Sequence, residues 1–442
     1  MSFTKAAESA NITKFDLFSN DGKNNCSLLG GAVELSYYES IFENSIKITT
    51  TIVDTGNSIA ADDGTDSLVE LIDGLKLGGG EKIELEFEDN FGTKLKLTDD
   101  KSLYLNQLRN TFEDTSSKVK TFMIDASSKE FFDNELASKR VVKRYDGKIS
   151  ESVTKILKQV LGTEKKLDVD ETENKYNFIG TTKKPFWTIT WLAKKSVPQK
   201  VGKKGKSAGF LFFETYDGFK YKALDILFSQ QWKKKYIYNN LPKLPVGYDG
   251  KILNPPMFST NIHLQPKMMM GAYNTQHKQF NFLESEYQLK ELGYVRQEED
   301  EGIKPAGKEF HFVNEIFTNE PSRITYNMSD VGGLPSGVKL EEQLKRSKDT
   351  NLERQSITNQ ANMRYNQLGT IQVQIMIVGD FSLRAGDMIY CDFPELSSKP
   401  NQRESYKMSG IYMIADICHR INTQGTLTSL NLIRDSYGKP NK

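Results

Sequence analysis

The chain has 442 residues, which at roughly 150 residues per domain predicts about three domains. It carries 59 Lys and Arg against 58 Asp and Glu, and this net charge of +1 argues against a dedicated nucleic-acid-binding protein, whose domain usually has a clear basic excess. Hydrophobic residues make up 37% and aromatic residues 11% of the chain, enough to build packed cores, so the composition excludes wholesale disorder.

The cysteines and the N-terminal segment bear on the cellular compartment. Cys26, Cys391 and Cys418 are odd in number and widely spaced, which fits neither a disulfide framework nor a metal-ligand motif and favours a reducing compartment. The first 20 residues lack the apolar segment of a signal peptide, and no apolar run reaches the ~18 residues that a membrane span needs. We therefore expect no signal peptide and no membrane span.

From about residue 31 to 125, polar and apolar residues alternate with a period of two. The alternation covers residues 32–38, 46–53, 82–88 and 94–98. Such a pattern predicts antiparallel strands that bury one face and leave the other in water. The region is therefore predicted to be a β domain.

The next region mixes helical and strand patterns. Helices are predicted at 127–140, 150–161 and 184–195, and the second of them has Ser150 as an N-cap and Gly162 at its C-terminal end. Strands are predicted at 209–215 and 219–224. This order indicates a mixed α/β domain.

The last third returns to strand patterns around a polar insertion. Strands are predicted at 258–264 and near 279–283, then one or two helices within 338–367, then four strands at 370–378, 386–392, 411–422 and 426–433. The whole chain is thus predicted to be α+β and mainly β. It has two antiparallel β-barrel or sandwich domains and a mixed α/β middle domain, and an insertion interrupts the second β domain.

Two glycine-containing segments and two basic clusters could bind phosphate. Gly205-Lys206-Ser207 ends like a phosphate loop, but Lys200 stands where a glycine is required and a strand pattern follows where a helix is needed. Gly78-Gly79-Gly80 lacks dinucleotide spacing and is predicted to be a loop hinge. The basic loop 194–206 and the cluster Lys233-Lys234-Lys235 could contact phosphate or an acidic partner, although the loop has no interleaved aromatic residues, which favours plain solvation.

Residues for metal binding or catalysis do not form a recognisable pattern. The four histidines (His263, His277, His311 and His419) have no metal-ligand spacing, Cys391 has no partner histidine, and no carboxylate pair stands out. Met268-Met269-Met270 fits an adaptable binding surface and a core contact equally well. The sequence therefore predicts no catalytic, cofactor-binding or metal-binding residue and no cofactor.

Three groups of motifs, taken in order, resemble the central baseplate hub proteins of T-even-type contractile-tailed bacteriophages. The resemblance extends over roughly residues 30–435. The motifs are Glu34-Leu35-Ser36-Tyr37-Tyr38-Glu39-Ser40 with 52–56 and 80–85; the segment 150–161 with 178–180, 184–186 and 191–193; and Gly379-Asp380-Phe381-Ser382-Leu383-Arg384-Ala385-Gly386-Asp387-Met388-Ile389 with the strand 412–420 and the hairpin that ends at Leu432.

The resemblance implies a domain division. It places the first tail-tube-like β domain at 1–125, the middle α/β domain at 126–257 and the second tube-like β domain at 258–292 and 367–436. The segment 293–366 is an insertion of polar helices and loops packed with the middle domain, and 437–442 is a tail.

The resemblance also implies a function without enzymatic activity. The chain would be a structural virion protein of the tail baseplate, assembled in the host cytoplasm as a homotrimer. Its pseudo-sixfold ring would join the sixfold tail tube to the threefold spike and leave a central passage for DNA. Expected partners are the spike and tail tube proteins, with baseplate wedge proteins and the tape-measure protein as further candidates. The end of the chain soon after the second β domain favours a separate spike subunit.

Two other functions are also compatible with the sequence. One is a tail-associated hydrolase that cleaves cell-wall glycan through two carboxylates. The other is the spike-base module of a related bacterial injection or secretion apparatus.

Overall fold

A computed structural model describes most of the chain. The described residues are 9–56, 59–60, 68–114, 116, 118–199, 207–239, 242–260, 262–281, 285–293, 305–310, 313–317, 319–328, 339–341, 354–395, 405 and 407–438. The loop residues 200–206 and residues 294–304 lie outside them.

Residues 9–128 form the first β unit. Its strands alternate between buried and exposed residues, as in β4, where Ile48, Thr50 and Ile52 point inward. The elements are β1 (Asn11–Phe18), β2 (Asn25–Ser27), β3 (Ala32–Ser40), β4 (Lys47–Asp54), β5 (Ile59–Ala60), β6 (Leu68–Val69), α1 (Leu71–Leu75), β7 (Lys82–Glu88), β8 (Lys94–Leu97), β9 (Leu103–Asp114) and β10 (Val119–Ser128).

The first β unit has two layers with an apolar core between them. β3, β4, β10 and β9 form one layer, and β8, β7, β1 and β2 form the other. The layers are joined where the start of β9 pairs with β7 at Leu103 and Tyr104. Phe15, Phe87 and Phe122 are fully buried between the layers. The predicted β domain is therefore a packed β sandwich.

The middle unit combines short helices with a hairpin. Its elements are α2 (Lys129–Asp133), β11 (Arg144–Tyr145), α3 (Ile149–Lys155) followed by a π-helical segment (Ile156–Leu161), β12 (Leu167–Val169), β13 (Phe178–Ile179), α4 (Pro185–Ala193), β14 (Phe210–Thr215), β15 (Gly218–Ala223) and α5 (Leu224–Phe228). α4 packs on the hairpin of β14 and β15, with the rings of Phe186 and Phe212 5.6 Å apart. Gly162 ends the second predicted helix in a left-handed conformation, as its position indicated.

The first predicted helix, 127–140, is wrong. β10 continues to Ser128, and only one helical turn, α2, follows before a 3-10 turn at Ala137–Lys139. Pairing of β10 with β4 extends to Ser127, so the strand takes the first two residues of the predicted helix. The remaining residues form the two short helical turns and not one continuous helix. The other two helical predictions are confirmed with boundaries shifted by one or two residues.

The last part of the chain contains the remaining strands and two helices. They are β16 (Lys235–Ile237), β17 (Gly250–Lys251), β18 (Met257–Thr260), α6 (Leu264–Met269), β19 (Asn274–Asn281), β20 (Glu286–Gly293), β21 (Glu309–Phe310), β22 (Arg323–Met328), α7 (Arg354–Leu368), β23 (Ile371–Val378), β24 (Met388–Asp392), β25 (Gly410–Asn422), β26 (Gly425–Arg434) and β27 (Ser436–Tyr437). No helix in the part of the chain described above is long and apolar enough to cross a membrane.

The second β unit repeats the plan of the first. β25, β26, β23 and β18 form one layer, and β24, β16 and β17 form a smaller layer behind it. Ile375, Leu430 and Tyr412 are fully buried between them. The expectation of a fold that is mainly β is confirmed.

The two β units share one continuous sheet. Residues 34–40 of β3 pair antiparallel with residues 416–422 of β25, so the first and last thirds of the sequence meet. The result is an eight-stranded layer in the order β18-β23-β26-β25-β3-β4-β10-β9, in which every neighbouring pair is antiparallel. Four strands come from each unit.

β19, β20 and β22 form a separate three-stranded sheet. They do not add to the eight-stranded layer. α7 packs against β19 and β20 and covers one face of this small sheet.

Candidate functional site

The eight-stranded layer has one face packed on the two cores. Its other face is open except near one end, where Ile433 is buried with Leu211 and Leu368. Because successive side chains of a strand point to opposite faces, the residues that alternate with the core line the open face. They are mostly small or uncharged polar residues: Ser36, Tyr38 and Ser40 of β3; Thr49 and Thr51 of β4; Ser127 of β10; Gln372 and Gln374 of β23; Ser429 and Asn431 of β26; and Ser259 of β18. We call this surface the open face.

The open face is hollowed rather than flat. Three adjoining depressions of about 690, 460 and 460 Å³ run across it from β18 to β9. The first two share Phe42, Gln374 and Asp416, and the last two share Tyr38 and Lys47. Both β units therefore contribute to one elongated concave surface.

Charged side chains on the open face neutralise one another. The described strands place three bases there, Lys47, Arg109 and Arg420, and four acids, Glu34, Asp114, Asp125 and Asp416. Arg109 binds Asp125 at 2.7 Å, and Arg420 binds Glu34 at 3.0 Å. Asp416 accepts hydrogen bonds from Ser40 and Asn431. The surface is thus polar, with no excess of positive charge among the described strands.

Three buried clusters of charged residues hold the units in place. In the first, the Glu39 carboxylate of β3 accepts hydrogen bonds from the backbone amides of Tyr216 at 2.8 Å and Ala385 at 3.0 Å. One side chain therefore contacts all three units. Burial raises the pKa of Glu39.

The second cluster joins the first β unit to the middle unit. Lys165 lies 2.7 Å from both Glu130 and Glu214. The Glu214 carboxylate also accepts hydrogen bonds from Ser128 and from the backbone amide of Ile46. Burial raises the pKa of Glu214.

The third cluster joins the middle unit to the second β unit. Arg364 of α7 binds Asp225 of α5 and Asp435, which follows β26, each at 3.1 Å. All three side chains are buried. Asp225 also accepts hydrogen bonds from Ser207, the last residue of the segment that resembled a phosphate loop. Within the described residues, that serine has a structural partner.

The motif 379–389 connects the two β units, and we call this segment the clasp. The backbone amide of Phe381 donates to Asp89 of the first unit at 2.7 Å, and the Phe381 ring packs edge-on against Phe87 at 4.9 Å. Gly386 has φ of +86°, and a Cβ there would lie 3.0 Å from the Phe213 ring. The motif thus places an aromatic residue of the second unit in the core of the first.

The basic cluster 233–235 contributes to the second β unit. Lys233 binds Asp387, Lys234 binds Asp380 and Lys235 binds Asp392. Burial tends to raise the pKa of Asp380, but Lys234 and the hydrogen bonds from Ser382 together outweigh burial, and the pKa is lowered. These lysines attach β16 to the rest of the second β unit through ion pairs. They therefore do not form the free basic surface for phosphate or an acidic partner that the sequence analysis considered.

Other residues singled out by sequence also have structural partners. Lys195, from the basic loop, is buried with Nζ 3.7 Å from the centre of the Trp191 ring. Gly78 and Gly79 donate their backbone amides to the buried Glu81. Burial raises the pKa of the Cys391 thiol, which makes it a poor nucleophile.

The histidines and the methionine run occupy different positions. His419 is buried and stacked on Tyr37 at 5.9 Å, and burial lowers its pKa to about 3. In the described ranges, no three His, Cys, Asp or Glu side chains are grouped for a metal ion. Met269 and Met270 are exposed at the end of α6. His311 lies outside the described residues.

A second exposed surface is apolar. On the three-stranded sheet, the face away from α7 carries Tyr287, Leu289, Ile324, Tyr326 and Met328, all of them exposed. Lys278 lies in its middle, 5.5 Å from the Tyr326 ring. We call this surface the apolar face.

Sequence reasoning did not identify the open face or the three buried clusters. The alternation of glutamine with valine and isoleucine in 371–375 is the one signal for the open face. Glu39 gives a signal for the first cluster, because it directly follows the strand predicted at 32–38 and continues the core-facing positions of Leu35 and Tyr37 with a period of two.

Comparison with known proteins finds similarity in solved structures alone. No family model and no curated protein matches the chain. The chain resembles a 43 kDa tail protein of prophage MuSo2 from Shewanella oneidensis, with 10% identity, 96% of this chain and 98% of that chain covered, and a TM-score of 0.48. It resembles a tail protein from Neisseria meningitidis, with 8% identity, 97% and 99% covered, and a TM-score of 0.48.

A third similar structure comes from a secretion system. It is an E. coli component of the type VI secretion system, described as structurally similar to T4 bacteriophage tail proteins, with 8% identity, 93% of this chain and 76% of that chain covered, and a TM-score of 0.40. The structural neighbours are thus phage tail proteins and a tail-like secretion component, the class of protein that the sequence motifs resemble. At these identities and TM-scores, the likeness is one of broad fold.

Proposed function

We propose that this chain is a structural virion protein, the trimeric central hub of a tail baseplate. It would join the sixfold tail tube to the threefold spike. The observation that carries the proposal is the eight-stranded layer, to which two similarly built β units contribute four strands each. A trimer of such chains repeats the four-stranded element six times around one axis, which is the symmetry that a tube–spike adaptor requires.

The layer also suits a passage through the centre of the ring. Three copies would supply about 24 strands, and closed barrels of 16–18 strands already leave a water-filled channel. In such a ring the cores and back layers would lie on the outside, and the open face would line the axis. A surface of serine, threonine and glutamine is compatible with water on that side.

The charge balance of the open face favours transit over binding. Affinity for nucleic acid depends mainly on bases that neutralise phosphates. Here the bases Arg109 and Arg420 are already paired with acids of the same face. DNA passing along this wall would find no run of free positive charge in the described strands.

The finer features of the proposal follow from the sequence resemblance. They are the domain division at 125, 257, 292, 366 and 436, contacts with the spike, the tail tube, wedge proteins and tape-measure protein, and assembly in the host cytoplasm. The spike-base module of an injection or secretion apparatus would use the same ring, and the identity of the neighbouring genes separates it from a phage hub.

The geometry gives no support to a glycan hydrolase. Glu39 and Glu214 are the described carboxylates with raised pKa, as a general acid requires. Both are buried at the junctions between units and bound by backbone amides or Lys165. Neither carboxylate can reach a polymeric substrate.

Co-expression with the adjacent spike gene tests the proposed function. We expect a complex with three copies of this chain and a central hole, seen by native mass spectrometry and electron microscopy. A chain that stays monomeric at micromolar concentration, with or without the spike protein, would overturn the proposal. Turnover of peptidoglycan abolished by one Glu or Asp substitution would favour the hydrolase instead.

A further inference from the structure

We propose that the ring closes by strand pairing between the β9 edge of one copy and the β18 edge of the next. The inference rests on the proposed ring function and names the surfaces that meet. β9 and β18 are the two ends of the eight-stranded layer. A head-to-tail contact between two different edges generates a ring when the rotation closes.

Both edges have unused pairing capacity in the described structure. β18 pairs with β23 on one side, and no second strand of the described chain adjoins it. β9 pairs with β7 at Leu103 and Tyr104, but from Asn106 to Glu113 it pairs with β10 alone among the described strands. Exposed edges of this kind are templates for another strand.

The direction of the strands favours this junction. The eight strands alternate strictly, so β18 and β9 run in opposite directions. Rotation about a ring axis preserves the direction of each strand. β9 of one copy therefore meets β18 of the next in antiparallel orientation, and the alternation continues around the whole ring.

The offset between the two edges matches the stagger of a closed barrel. Starting at Tyr104 of β9, the residues paired across the layer are Ser127, Lys47, Tyr38, Cys418, Ser429 and Met376. Met257 is paired with Gln374, so this line reaches β18 two residues before Met257. β18 therefore lies on one side of this line, and the unpaired part of β9, from Asn106 to Glu113, lies on the opposite side.

The centres of the two edges are consequently displaced along the strands by about eight residues per copy. A displacement of about one residue per strand, at ~3.3 Å per residue and ~4.8 Å between strands, gives a strand tilt of about 35°. Closed barrels have tilts of typically 35–45°. The edges are therefore staggered as ring closure requires, and they would not meet in an untilted arrangement.

An exposed apolar side chain stands at each edge, on the same face. Phe112 of β9 is 67% exposed, and its partner Thr121 alternates with the core residue Phe122. Met257 of β18 is 63% exposed and is paired with Gln374 of the open face. The pleat of a sheet places residues of one face opposite one another, so Phe112 and Met257 can meet across the junction.

Charge substitutions at the two edges test the inference on the full chain co-expressed with the spike. Phe112→Glu and Met257→Lys each place a charge in the apolar contact. We expect each to lower the fraction of trimer at least tenfold in native mass spectrometry. The double variant puts Glu opposite Lys at all three junctions, and we expect it to restore most of the trimer. Thermal unfolding of each variant monitors its fold.

Tyr326→Lys on the apolar face is the matched control, because Tyr326 is 69% exposed and belongs to a separate sheet that contains neither edge strand. We expect it to leave the trimer intact. A trimer that survives both edge charges, or that only Tyr326→Lys disrupts, would overturn the edge assignment and leave the ring function standing. A wild-type chain that forms no trimer with the spike would overturn both.

Discussion

The core of the first β unit and the junctions between units are both buried, yet they are built from opposite chemistry. The first core is apolar, with Phe15, Leu85 and Phe87 inaccessible to water. The junctions are made by charged residues such as Glu39, Glu214 and Arg364, each with hydrogen-bond partners in another unit. Apolar packing accepts many shapes, whereas a buried charge accepts few positions of its partner.

This difference assigns separate tasks to the two regions. The apolar core supplies the free energy that folds each unit, because burial of apolar area is the dominant favourable term. The charged junctions contribute little net free energy, since desolvation offsets the attraction. They fix the relative position of the units, on which the continuity of the open face depends.

Removal of Arg364 is the strongest test of the junctions. Arg364→Met leaves Asp225 and Asp435 buried without their cation, and we expect a loss of about 3–5 kcal/mol in the free energy of unfolding. Adding Asp225→Asn and Asp435→Asn should recover part of the loss, because no charge then remains buried. Chemical unfolding measures both effects. An equal loss in the single and the triple variant would show that packing, and not charge, holds this junction.

The apolar core should respond to volume and not to chemistry. We expect Leu85→Ala to cost about 2–5 kcal/mol, and Leu85→Met to cost less than about 1.5 kcal/mol because it conserves volume. The same unfolding measurement applies. Equal destabilisation of the two variants would mean that the first core tolerates no change of side-chain shape. The proposed difference between the core and the charged junctions would then be wrong.

His419 combines features of both regions, because it is a titratable residue buried against the aromatic rings of Tyr37 and Phe381. Its pKa is lowered to about 3, mainly by burial and then by Arg384. A lowered pKa contributes stability above the unfolded value near 6.5 and loses it as the pH falls toward 3. We expect a loss of about 2 kcal/mol between pH 7 and pH 5 from this residue.

Comparison with His419→Gln isolates that effect. Glu39 and Glu214, whose pKa values are raised by burial, act in the opposite sense and are common to both proteins. The difference in unfolding free energy between wild type and variant should therefore shrink as the pH falls. A difference independent of pH would mean that His419 is not held neutral by its surroundings.

The smallest effect is expected for a charge on the open face. Lys47 and Glu43 are 2.8 Å apart and both largely exposed. We expect Lys47→Ala to change the unfolding free energy by less than about 0.5 kcal/mol. A larger loss of unfolding free energy would show that this pair contributes to stability as the buried charged residues of the junctions do.

Much of the local structure was predictable from the sequence, and the exceptions have a common cause. The alternation in 82–88 and 371–378 predicted strands that the structure contains, and Pro185 with Gly162 predicted helix boundaries. The helix predicted at 127–140 begins two residues later than expected because β10 pairs with β4 up to Ser127, and it is reduced to two short turns. The basic cluster 233–235 was misjudged because its partners, Asp380, Asp387 and Asp392, lie about 150 residues away along the chain.

The sequence by itself determined the elements and the class: strands, short helices, neutral charge and a likeness to tail hub proteins. Those features depend on neighbours within a few residues, which a period of two or 3.6 reveals. The tertiary structure alone decided that β3 pairs with β25, that two units share one open face, and that β9 and β18 stand at its ends. The pairing partners of a strand are set by backbone hydrogen bonds common to all residues, so side-chain patterns leave them open.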